Sequence, residues 1–180
     1  MSKHTVLGFF DEASPQTTAN TQRLWYFKKH RIIKNTSKFR ANTFGIYSPN
    51  GNSILTFRNN SKKEDICEVL EEFVNANPGK RIVIVLDNFS SHRSQMVREF
   101  AYRKNIHLVY LPPYSPDLNP IEQIWRAIRR FISTIFITDL GHLKSIICEE
   151  FFDRVMRDSY IMGWAGKFLS ADYYSKMLCN

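Results

Sequence analysis

Apolar and polar positions along this chain follow two different periods, and the places where one gives way to the other mark the elements. Residues 5–10 are a short apolar run of strand formers that stops at two acids, Asp11 and Glu12. Residues 43–47 and 53–57 are strand-like runs flanking Ser48-Pro49-Asn50-Gly51-Asn52, and the Asn-Gly pair predicts an antiparallel hairpin. Ser61-Lys62-Lys63-Glu64 has capping-box spacing, after which Ile66, Val69, Leu70, Phe73 and Val74 recur at helical intervals until Pro78-Gly79 ends the pattern. Residues 81–86 form a continuous apolar run that predicts a strand buried on both faces and ending at Asp87. Ser90 or Ser91 is then expected to cap a helix running to Lys104. A strand over 106–111, a helix starting at Asn119-Pro120 and a helical stretch over 140–157 complete the pattern.

That order places the chain in the α/β class. It requires a five-stranded mixed sheet flanked by helices: an antiparallel meander of three strands, then right-handed crossovers that add two parallel strands. Strands one and four would lie side by side, bringing Asp11 and Asp87 together at their carboxyl ends, where open α/β sheets usually carry their sites. At 180 residues a single domain is expected, with a core over about 1–135 and a helical extension over about 138–180.

Charge sharpens this picture. The chain carries a formal net charge of +8, which a fold does not require and which points to a polyanionic partner, nucleic acid first. Residues 13–63 contain no Asp or Glu, while Arg23, Lys28, Lys29, Arg31, Lys34, Lys38, Arg40, Arg58, Lys62 and Lys63 contribute +10, so the remainder sums to 8 − 10 = −2. Such an acid-free stretch suits phosphate contacts, with Lys28, Lys29, Arg31, Lys34, Lys38 and Arg40 as candidates. The interleaved Trp25, Tyr26, Phe27 and Phe39 read as core residues rather than as stacking platforms. Cys67, Cys148 and Cys179 are an odd number without CxxC spacing, which indicates neither a disulfide framework nor a zinc site and fits a reducing cytoplasm. The N-terminal apolar run is too short for a signal peptide, and none approaches the roughly 20 residues of a membrane span.

Two carboxylates at neighbouring strand ends repel one another, and a divalent cation is the natural compensation. Oxygen ligands favour Mg²⁺, with Mn²⁺ as a substitute, and two such ions roughly 4 Å apart stabilise both the attacking and the leaving oxygen in phosphoryl displacement. Glu122 is the candidate third ligand. It has a competing local explanation: with Asn119 as N-cap and Pro120 as first helical residue, Glu122 would stand third, where a capping-box carboxylate belongs, and it precedes Arg126 by four residues. The helix face favours the site. Ile121, Ile124, Trp125, Ile128, Ile132 and Ile135 form the apolar stripe, leaving Glu122 at the helix start beside Arg126, Arg129 and Arg130, a cationic surface suited to phosphates.

Three segments then resemble a known family: Phe9-Phe10-Asp11-Glu12; Val85-Leu86-Asp87-Asn88 with His92; and the string from Leu111 through Pro112-Pro113-Tyr114-Ser115-Pro116-Asp117-Leu118-Asn119-Pro120-Ile121 to Glu122, with Trp125. Together they are similar to the DDE transposases of the mariner superfamily, above all its insertion-sequence branch in bacteria and archaea. Asp87 and Glu122 are 122 − 87 = 35 positions apart, a spacing that family uses. The resemblance implies an RNase H-like fold in which Asp11, Asp87 and Glu122 are catalytic and hold two Mg²⁺ ions. It further implies cleavage of duplex DNA at transposon ends, strand transfer to a target, and a homodimer that brings two ends together.

Asn88, His92 and Asn119 match positions around the ligands and are expected to support them. Glu12 should point to the opposite strand face as a solvent or salt-bridge residue, and Asp117 should shape the turn beside Pro116. Family members usually carry helix-turn-helix modules ahead of the catalytic domain, and Asp11 lies too near the start for one here. The expectation is therefore a separately encoded DNA-binding subunit, a fragment or a decayed copy. A branched-DNA or hybrid nuclease and an inactive DNA-binding remnant are the other readings.

Overall fold

The computed structural model describes residues 4–17 and 37–168. The cations Arg23, Lys28, Lys29, Arg31 and Lys34, the aromatics Trp25, Tyr26 and Phe27, and Cys179 lie outside the described residues.

The five strands are β1 (Thr5–Ala13), β2 (Thr43–Tyr47), β3 (Ile54–Phe57), β4 (Arg81–Leu86) and β5 (Ile106–Tyr110), in the sheet order β3-β2-β1-β4-β5. β1 pairs antiparallel with β2 and β2 with β3, while β1–β4 and β4–β5 are parallel, which is the expected meander followed by crossovers. β1 runs three residues further than its apolar stretch, because Asp11, Glu12 and Ala13 pair with Gly45, Phe44 and Thr43 of β2. Backbone pairing thus carries the strand through the two acids, and the alternation of a strand sends Asp11 and Glu12 to opposite faces.

Helices cover both faces. On one, α1 (Lys63–Ala76) and α2 (Gln95–Arg103) bury Ile66, Val69, Leu70, Phe73 and Val97 against Phe10, Phe44, Ile46, Ile82 and Ile84. On the other, α3 (Ile121–Ile132), α4 (Leu140–Val155) and α5 (Ser159–Phe168) pack around Phe9, Tyr47, Trp125, Ile128 and Phe151, with a short 3₁₀ turn at Pro116–Leu118 leading into α3. The expected stripe of α3 is fully buried at Ile121, Ile124, Trp125 and Ile128, and Ile135 packs partly buried beyond the helix end. Phe151 stacks on Trp125 with ring centroids 5.5 Å apart, so this residue of the C-terminal region covers the core.

Three helix starts differ from the sequence expectation. The box at α1 closes one residue later, with the Lys62 amide donating to Asp65 Oδ2 at 3.0 Å, because Ser61 Oγ is engaged by Asn42 Nδ2. α2 begins after Ser94, whose hydroxyl accepts from the Val97 amide, rather than after Ser90 or Ser91. Residues 90–93 remain a turn, and that keeps His92 outside the helix. The third difference, at α3, concerns the site itself.

Candidate active site

Asp11, Asp87 and Glu122 come from the strand β1, the turn after β4 and the first turn of α3, and all three line one cleft of about 470 Å³. Asn88, Phe89, the loop 111–116 and Asn119 complete its wall. The three acids sense one another. Burial holds the Asp11 carboxyl well above the usual carboxylate range, reinforced by repulsion from Glu122 and then Asp87. Burial likewise raises Glu122, against the pull of Arg129 and Arg126 and with Asp87 and Asp117 adding to it.

Asp87 goes the other way. His92 Nδ1 lies 2.5 Å from Asp87 Oδ1, and that hydrogen bond, helped by the Phe89 amide donating to the same oxygen at 3.1 Å, lowers the Asp87 carboxyl. His92 is only 3% exposed, and its other nitrogen, Nε2, lies 3.3 Å from Glu12 Oε1. Burial alone would disfavour the imidazolium, yet the bonds to Asp87 and Glu12 outweigh it and push His92 up to about 9. At neutral pH the ring is therefore charged and donates from both nitrogens. Tyr110 Oη donates to the His92 carbonyl at 3.0 Å, and the Phe10 ring meets the imidazole edge-on at 5.2 Å, so the turn holding it is anchored from two sides. His92 is thus a positioning residue for Asp87. Glu12 faces the opposite side of β1 from Asp11, as expected of a salt-bridge residue, and its partner there is a histidine 80 positions away that the sequence did not indicate.

At α3 the expected cap is absent. The helix starts at Ile121 with Pro120 in the cap position and no side-chain cap bond, which makes Glu122 the second helical residue. Asn119, 3% exposed, donates from Nδ2 to the Phe10 carbonyl at 3.0 Å, tying the entry to α3 directly to the residue before Asp11. A capping box needs the asparagine side chain at the helix amides, so the capping explanation for Glu122 falls away. Its carboxylate faces the cleft, 3.8 Å from Arg129 Nη2.

Two packing contacts set the height of α3 over the sheet. Gly45 stands opposite Asp11 on β2, and a Cβ there would lie 2.7 Å from Trp125 Cζ2, so only glycine lets the indole seat against the strand. From α5, Trp164 Nε1 donates to the Leu118 carbonyl at 3.0 Å and its ring meets Phe9 edge-on, bracing the turn before Glu122.

Arg126, Arg129 and Arg130 are exposed along α3, and Lys38 and Arg40 are exposed ahead of β2. Arg40 Nη2 donates to Ser14 Oγ, and Asp117 sits exposed on the 3₁₀ turn. Among the described residues, no three Asp, Glu, His or Cys side chains are already gathered into a closed cation cage. The cleft nonetheless supplies three carboxylates as an all-oxygen donor set, the chemistry that suits Mg²⁺ or Mn²⁺.

The profile of a family described as DDE superfamily endonuclease matches residues 6–144, the stretch that holds the whole cleft. The chain belongs to this endonuclease superfamily. Over 59 residues the chain is 41% identical to the Transposable element Tc1 transposase of Caenorhabditis elegans, a match covering 33% of this chain and 22% of that protein. Over 70 residues it is 34% identical to the Transposable element Tcb2 transposase of Caenorhabditis briggsae, covering 38% and 26%. In fold it superposes on the mariner Mos1 paired end complex with Mg at a TM-score of 0.70 and 16% identity, covering 93% of this chain and 53% of that one. The fold is RNase H-like, and the expected resemblance to mariner transposases is borne out by these likenesses. The matches span about a quarter of the worm proteins and about half of the Mos1 chain.

The histidine link yields a stability signature. With chelator present, the contribution of His92 should be full below its free value near 6.5 and fade as pH rises through about 9. Urea unfolding at several pH values should show this loss in the wild type and not in His92→Gln.

Proposed function

We propose that the chain is the catalytic part of a DNA transposase that cuts duplex DNA at transposon ends and joins the freed ends to a target. The reading is carried by one observation: three carboxylates distant in sequence line a single cleft, two of them held in an electrostatically unfavourable state that a cation would relieve. The membership of the endonuclease superfamily and the likeness to Tc1, Tcb2 and Mos1 support it.

Asp11, Asp87 and Glu122 would hold two Mg²⁺ ions, whose chemistry is to stabilise charge on the attacking and leaving oxygens. His92 keeps Asp87 ionised and aimed, Asn119 fixes the entry to α3 against β1, and the exposed arginines of α3 meet backbone phosphates. In the cut, a water oxygen bonds to phosphorus as the 3′-oxygen leaves with a proton. In joining, the oxygen of that 3′-hydroxyl bonds to a target phosphorus as the target's own 3′-oxygen leaves with the proton. We further propose that the protein acts as a dimer with a DNA-binding part supplied from outside the described core.

The test is nicking and joining of duplex DNA in Mg²⁺ or Mn²⁺ by the full chain, with Asp87→Ala and Glu122→Ala as controls. Activity in the wild type that both substitutions abolish supports the reading, and activity unchanged in both contradicts it. Preference for a four-way junction or an RNA–DNA hybrid would move the assignment to another nuclease. Because Asp11 holds its proton unusually well, Mn²⁺ must displace that proton. Calorimetry is expected to show affinity rising with pH and protons released on binding.

A further inference from the structure

Two aromatic rings rim the carboxylate cleft, and nothing in the chemistry above uses them. Tyr114 is fully exposed, at 101%, and Phe89 is 59% exposed. Both line the same cleft as Asp11, Asp87 and Glu122, Phe89 from the turn after β4 and Tyr114 from the loop after β5. Neither position is casual. Tyr114 has φ 58°, a left-handed conformation that a side chain disfavours, in a segment bounded by Pro113 and Pro116. Phe89 is fixed at its backbone by the bond to Asp87 Oδ1 and at its ring by an edge-on contact with His92, centroids 6.1 Å apart.

Other exposed apolar side chains, such as Tyr102 and Met156, stand on the outer surface of α2 and at the end of α4, where isolated exposure is ordinary. At the cleft, exposure coincides with backbone strain, with rigid placement and with carboxylates that, loaded with the proposed cations, would take a phosphate. A planar apolar ligand attached to a phosphate is a nucleotide, and any base offers a face for stacking.

We infer that Tyr114 and Phe89 form a clamp for an unpaired nucleobase next to the phosphate that enters the carboxylate cleft. The clamp favours DNA that is frayed or distorted at the point of attack over continuous duplex. This deepens the nuclease reading and rests on it for the placement of the phosphate.

The experiment separates ring from loop shape. The full chain is titrated in Ca²⁺ with a duplex carrying one mismatched 2-aminopurine and with the fully paired duplex, following fluorescence and affinity. The wild type should bind the mismatched duplex more tightly and change the fluorescence of its 2-aminopurine. Tyr114→Gly suits the left-handed backbone and should fold at least as well, yet lose that preference by roughly 5- to 150-fold. Tyr114→Phe, which keeps the ring, should restore it, Phe89→Ala should weaken it, and Tyr102→Ala should leave it unchanged. Wild-type discrimination by Tyr114→Gly overturns the clamp, whether or not the protein nicks DNA. Loss of discrimination in Tyr114→Gly by a protein that never nicks DNA upholds the clamp and sinks only the nuclease reading.

Discussion

Replacing Asp11 with asparagine is expected to make the metal-free protein more stable and the enzyme inert. The carboxyl of Asp11 is raised by burial and by repulsion from Glu122 and Asp87. A group whose folded value lies above its unfolded one destabilises the fold increasingly as pH rises above the unfolded value, so a penalty is present at neutral pH. Asparagine keeps the shape and removes the charge. A gain of ~1 kcal/mol would raise Tm by roughly 2–4 °C at this chain length. On the proposed two-metal reading, cleavage should meanwhile fall by about 10³-fold or more, because an ion held by these carboxylates would supply several kcal/mol of transition-state stabilisation. Thermal unfolding in chelator and nicking in Mn²⁺ measure the two halves. A loss of stability in Asp11→Asn would mean that the acid has a partner in the fold and is not held in repulsion.

The second large effect concerns Gly45 and Trp125. The Cβ of Gly45→Ala would sit 2.7 and 2.8 Å from two atoms of the indole benzo ring, so the ring, and α3 with it, must move. Overpacking of this kind costs about 1–3 kcal/mol, and it shifts the helix whose second residue is Glu122. Metal-dependent cleavage should therefore drop with stability. Trp125→Phe removes the benzo ring and leaves room for the added methyl. The double variant should thus be less destabilised than the sum of the singles, by about 0.5 kcal/mol or more. Strict additivity in urea unfolding would show that this contact does not set the seat of α3.

Much of this arrangement was legible in the residues. The alternation around Asn50-Gly51 and the buried run of β4 give the sheet its order, because both are local patterns that survive packing. Asp11 and Asp87 could be placed at neighbouring strands for the same reason. What stayed hidden depends on contacts across the sheet. The extra length of β1 comes from its pairing with β2, and the Glu12–His92–Asp87 link joins residues up to 80 positions apart. Asn119 had two uses open to it, a cap or a tie to β1, and only the tertiary fold selects between them. α5 falls within the expected helical extension, but with Gly163, Gly166 and no clear apolar period nothing marked its bounds or the bond from Trp164 to Leu118.

The most direct measurement is an anomalous-scattering map from crystals of the full chain soaked in Mn²⁺. Density bracketed by Asp11, Asp87 and Glu122, and lost in Asp87→Ala, is the predicted result. Manganese bound elsewhere, with these three carboxylates left without density at saturating concentration, would contradict the account.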